Sequence, residues 1–158
     1  MTQTVSRTEC SCATCRSYCK HVPGWFLPGE AERAATLKGL TLEAFFRQYL
    51  TVDYWASSDQ RFVLRPRTTT ESGGEIAGFD PRGVCVFYRR GRCAIHAAKP
   101  HECATARHDI DPSVGWHEQT AIAWESHQAH IEALLGRAPD LPDISFSDVF
   151  SLILRMIR

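Results

Sequence analysis

The sequence predicts a mainly α-helical small single domain with a short β-hairpin, nucleated by a cysteine-rich metal site. Three observations carry this. Four of the seven cysteines crowd into CSCATCRSYC, Cys10 to Cys19. The other three, Cys85, Cys93 and Cys103, gather around the single hairpin pattern VCVFYRRGRCAIH, and the remaining periodic segments read as helices. With 158 residues the chain can bury an ordinary core, so its thiols are not needed as a substitute for packing.

Taken in order, PGEAERAATLKG reads as a helix with Pro28 at its first position and Gly39 just beyond its end. A second helix follows at once. Thr41 is its N-cap, Leu40 and Phe45 form a hydrophobic staple, and Phe46, Tyr49 and Leu50 continue the apolar stripe. TTTESGG, residues 68–74, reads as a flexible loop between the two cysteine-bearing halves. In the hairpin, pairing Tyr88 with Cys93 across a four-residue turn sets Cys85 opposite His96. Pro100 opens a short helix with Cys103 in its first turn, where backbone N–H groups favour a thiolate. Asp111 and Pro112 open a long helix to about Leu135, with Trp124, Ile131 and Leu134 as its stripe. Ser145 and Asp148 cap a terminal helix that is apolar nearly all round. The expected organisation is one domain over 1–158, with a cysteine-cluster core at 10–108 and a helical extension at 111–158.

Formal charge is zero, with 18 basic and 18 acidic residues, so no global attraction to nucleic acid or anionic lipid operates. The first ten residues are polar, and no stretch approaches the roughly 20 apolar residues of a membrane span. The expected compartment is a reducing cytoplasm, where clustered cysteines bind metal or do redox chemistry more often than they form disulfides.

Thiolates hold soft divalent ions and iron–sulfur clusters, and Cys12-x-x-Cys15 can present two of them to one ion. Two plainer readings compete. A lone CxxC also serves thioredoxin-like exchange, but no βαβ pattern follows it. Buried cysteine can be a small core hydrophobe, which suits Cys85 in its apolar strand but not a run interleaved with Arg16, Ser17 and Lys20. The candidate ligands are Cys10, Cys12, Cys15, Cys19, Cys85, Cys93, Cys103 and His96. His21, His101 and His108 are reserve ligands. His117 and His127 lie about 15 Å apart on one helix and cannot share an ion, whereas His127 and His130 could.

The spacing Cys12-x2-Cys15-x3-Cys19, the Pro-Gly-Glu helix, LTLEAFFRQYL, Cys85-Val-Phe, Gly91-Arg-Cys93-x-Ile95-His96 and Lys99-Pro100-x-x-Cys103 resembles the CxxCxxCC (YkgJ-type) cysteine-cluster family, a zinc- or iron-chelating domain. The resemblance covers about residues 12 to 107 and implies Cys12, Cys15, Cys19, Cys85, Cys93 and Cys103 as the cofactor-binding set. The chain departs from the family pattern in two places. Tyr18 replaces the first of the final cysteine pair, and His96-Ala-Ala-Lys99-Pro100 stands where the family has Tyr-x-x-Arg-Pro. Such exchanges alter a site's charge and potential.

From Arg82 to Arg107 the only acidic residue is Glu102, against Arg82, Arg89, Arg90, Arg92, Lys99 and Arg107. That basic shell would offset several thiolates, or would dock an anionic partner. Phe87 and Tyr88 are its only aromatic residues and are expected to pack inward, which disfavours nucleic acid. Two function classes follow: a metal-binding structural or interaction protein holding zinc or a 4Fe–4S cluster, with a protein partner on the terminal helix or the hairpin, or an iron–sulfur or metal-dependent enzyme for electron or group transfer. Whether the chain is an enzyme is open at this stage.

Overall fold

The structure is a computed structural model that describes residues 12–55, 61–78, 82–105, 116–142, 147, 149–150 and 153–154. Six helices and four short strands lie among these residues, so helix predominates as expected. Cys10, Asp111, Pro112, Ser145 and Asp148 lie outside them. No helix among the described residues is long and apolar enough to cross a membrane.

Helix α1 spans Ala13–His21 and takes Cys12 as its N-cap: the thiol accepts the Cys15 amide at 3.4 Å. Helix α2, Glu30–Leu37, begins two residues later than Pro28, because Pro28 and Gly29 form a turn in which Gly29 takes φ +85°. Helix α3, Leu42–Tyr49, is capped by the Thr41 hydroxyl, which accepts from the Ala44 amide at 3.2 Å. Such a cap contributes about 1 kcal/mol. Phe45 and Phe46 of α3 are buried, as the apolar stripe requires.

The principal sheet was not anticipated. Strand β1, Leu50–Trp55, pairs antiparallel with β2, Arg61–Pro66, from Leu50↔Pro66 to Trp55↔Arg61. Val52 is flanked on its other side by Glu75 to Ala77, forming a parallel bridge to Ile76. The outer edge of β2 is also covered. Phe26 donates to the Leu64 carbonyl at 2.9 Å, and the Gln128 side chain bonds both the amide and the carbonyl of Phe62. An edge closed this way offers no template for pairing with another chain.

Arg65 is what makes this buried strand hard to recognise. It is 3% exposed and interrupts an apolar run. Its Nε donates to Asp53 on β1 at 2.6 Å, a diagonal cross-strand pair, and its terminal nitrogens hold Glu71 at 2.7 and 2.9 Å. Residues 68–74 are therefore structural rather than a flexible loop: Glu71 anchors Arg65 and accepts the Thr68 amide, while Thr68 is buried and bridges to Cys85.

Strands β3, Tyr88–Arg89, and β4, Arg92–Cys93, form the expected hairpin with Tyr88 opposite Cys93. The turn is two residues, Arg90 and Gly91, rather than four. The ladder also stops short of Cys85 and His96: Cys85 faces Thr68, and His96 begins a 3₁₀ turn over His96–Ala98. Helix α4, His101–Thr105, follows Pro100 as predicted. Helix α5, Trp116–Trp124, and helix α6, Gln128–Leu135, are separated by a 3₁₀ turn at Glu125–His127, so the long helix is interrupted.

The core joins α2, α3, both strands of the sheet, the hairpin base and the C-terminal helices. Phe26, Phe45, Phe46, Leu50, Val52, Leu64, Ile95, Trp124 and Ile131 are all essentially inaccessible. Each fully buried side chain of this kind contributes about 2 kcal/mol of transfer free energy. Farther along, the described residues at 149–154 leave Val149, Phe150, Ile153 and Leu154 exposed.

Candidate functional site

The chain between α1 and α2 acts as a strap that draws distant segments together. The Lys20 carbonyl accepts the Cys85 amide at 2.8 Å, Gly24 donates to Cys103 Sγ at 3.2 Å, and Trp25 donates to the Glu102 carboxylate at 2.9 Å. Glu30 at the start of α2 accepts the His101 amide at 2.9 Å, tying the beginning of α4 to the same strap. These long-range hydrogen bonds bring the chain just after Cys19 up to Cys85 and Cys103.

Four thiols from four segments interact there. The Cys93 thiol donates to Cys19, which lowers Cys19 to about 7 against an opposing effect of burial; Lys99 lowers it further. The same hydrogen bond raises Cys93, with burial adding to it. Burial is the main cause raising Cys85, and burial pushes Cys103 up to about 12 despite the Gly24 amide. Cys85 and Cys103 also experience the charge of Cys19. Burial raises the Cys103 thiol by more than the Gly24 amide lowers it, the opposite direction from a thiolate favoured at the start of the short helix α4.

Cys12, Cys15 and Cys19 recur at helical spacing, so they lie along one side of α1 and approach the Cys93 end at Cys19. None of the six described cysteines is in a disulfide. Among the described residues, no three His, Cys, Asp or Glu side chains form a group that could hold a metal ion as they stand. The donor chemistry suits a thiophilic ion, whereas ligation would require the thiols to draw closer.

His96 is half-buried in its 3₁₀ turn and is not paired with Cys85. His21 and His127 are exposed, and His130 on α6 is half-buried. His117 belongs to a different constellation. Its Nδ1 lies 3.1 Å from both Glu102 oxygens, and its ring sits 4.2 Å from that of Trp25. Glu102 is 4% exposed, so this neighbour of Cys103 is fixed by the Trp25 amide on one side and His117 on the other. Sequence reading missed Glu102. A lone acid in a basic stretch was the available signal.

Comparisons with protein-family models, curated proteins and solved structures each find no match to this chain.

Proposed function

We propose that this chain is a metal-binding protein in which Cys19, Cys85, Cys93 and Cys103 form the core ligand set for zinc or a 4Fe–4S cluster, with Cys12 and Cys15 supplying further thiolates from α1. The observation that supports this is that Cys93 hydrogen-bonds Cys19 while the chain leaving α1 bonds the Cys85 amide through Lys20 and the Cys103 thiol through Gly24. A hydrophobic-filler role accounts for Cys85 alone; it does not account for a Cys93 thiol directed at a Cys19 held near neutrality. When bound, the ion would supply the positive charge that turns the buried thiols into thiolates. The role is structural: ligation would fasten α1 to the hairpin and α4. A reducing cytoplasm suits thiols kept out of disulfides.

The test is anaerobic purification followed by metal analysis, sulfide assay and a visible spectrum on one sample. The expected result is stoichiometric zinc, or iron with sulfide and broad visible absorbance, lost in Cys19→Ser and Cys93→Ser and accompanied by a lower Tm. Wild-type protein that carries neither metal, and whose Tm does not respond to added zinc or to cluster reconstitution, overturns the reading.

A further inference from the structure

The β3–β4 turn places an arginine where the backbone disfavours one. Arg90 has φ +48° and Gly91 has φ +78°, so both central residues of this two-residue connection are left-handed. That geometry suits asparagine followed by glycine, and a side chain such as arginine is strained there by about 1 kcal/mol. Arg90 is the single non-glycine residue with positive φ among those described.

The charge at the turn is also unopposed. Arg89, Arg90 and Arg92 are exposed, and none forms an ion pair among the described residues. Exposed Arg16 on α1 and half-buried Lys99 extend the basic character toward the thiols, since Lys99 acts on Cys19 and Arg92 adjoins Cys93. The acidic residue of this region, Glu102, is buried and engaged by Trp25 and His117. In a chain of zero net charge, three exposed arginines therefore stand on one two-residue turn and its flanks, next to Cys93.

We propose that the Arg89–Arg90–Gly91–Arg92 turn is a docking surface for an acidic protein segment. Guanidinium forks pair bidentately with carboxylates, and a two-residue turn projects them on a narrow, rigid tip suited to a short acidic stretch. Nucleic acid is the less suitable partner. Phe87, just before β3, is 2% exposed and packs on Phe45 and Tyr49, which leaves half-buried Tyr88 as the one aromatic side chain leading into the turn, too little for a stacking platform. The proposal stands independently of any metal.

The experiment measures fluorescence anisotropy of the full chain against a labelled peptide of about 12 glutamates and, in parallel, a thymidine oligonucleotide of matched charge. The expected result is binding to the glutamate peptide that weakens with salt, falls about threefold in Arg90→Asn, persists in Arg90→Lys, and is lost in the Arg89→Gln, Arg90→Asn, Arg92→Gln triple variant. Because asparagine relieves the left-handed strain, Arg90→Asn should keep or raise Tm, which separates lost binding from misfolding. Equal binding by wild type and Arg90→Asn, or no binding of the glutamate peptide, overturns the proposal. Tighter binding of the oligonucleotide through the same arginines replaces it with a nucleic-acid surface.

Discussion

The Gly24 amide donates to Cys103 Sγ at 3.2 Å across 79 positions of sequence, and the backbones meet so closely that only glycine fits. A Cβ on residue 24 would lie 2.7 Å from the Cys103 nitrogen and 2.8 Å from its sulfur. Gly24→Ala should therefore push α4 away from the strap, costing about 1–3 kcal/mol by overpacking. Thermal denaturation reads the stability loss, and metal analysis of the same sample should show reduced loading. An unchanged Tm would mean that the strap and α4 are not in contact.

Arg65 holds two carboxylates in a nearly dry site, so removing it leaves them unpaired. Arg65→Leu should cost about 3–5 kcal/mol in urea denaturation. Adding Glu71→Gln to that variant should recover part of the loss, because one stranded charge is then absent.

The same network fixes a pH dependence. Burial opposes ionisation of Glu71, but the hydrogen bonds and charge of Arg65 outweigh it and hold the carboxyl below its ordinary 4.5. A depressed folded-state value means that the stabilisation is present above 4.5 and is lost as pH falls through the folded value. Acid titration of wild type against Glu71→Gln should show a steeper stability loss for wild type below that point.

His117 has the opposite sign. The hydrogen bond to Glu102 raises it above its ordinary 6.5, against burial and with help from Asp53. Its contribution is fully present below 6.5 and disappears as pH rises through the folded value. The side chain is 49% exposed, so solvent screening keeps the effect small. Tm of wild type minus that of His117→Asn should shrink from acid toward alkaline pH. A difference that is flat across this range would exclude the Glu102 pairing.

Trp124 donates its indole N–H to the Phe26 carbonyl at 2.6 Å, pinning α5 to the strap's far end. Phe26 is fully buried, so Trp124→Phe strands that carbonyl and should cost about 1–3 kcal/mol. Chemical denaturation measures it directly.

Local chemistry made part of this molecule legible in advance. The Thr41 cap, the Phe45 and Phe46 stripe, the Tyr88↔Cys93 pairing and the helix after Pro100 each depend on residues a few positions apart. The β1–β2 sheet was missed although its Val, Tyr, Trp and Phe content carried a strand signal, because Asp53 and Arg65 break the apolar pattern. Their burial is tolerable only once Glu71 closes the network.

The thiol cluster divides along the same line. The two cysteine blocks and the basic hairpin leading into Cys93 were legible in the chain itself, whereas helix α1, which aligns Cys12, Cys15 and Cys19, falls where a short metal-binding loop was expected. That Cys85 meets Thr68 instead of His96, that Cys93 addresses Cys19, and that Glu102 belongs to Trp25 and His117 follows from contacts between distant segments. Periodicity and capping act over one or two turns of chain. The Gly24, Trp25 and Glu30 hydrogen bonds span 71 to 79 positions, and such partners are chosen by packing of the whole core.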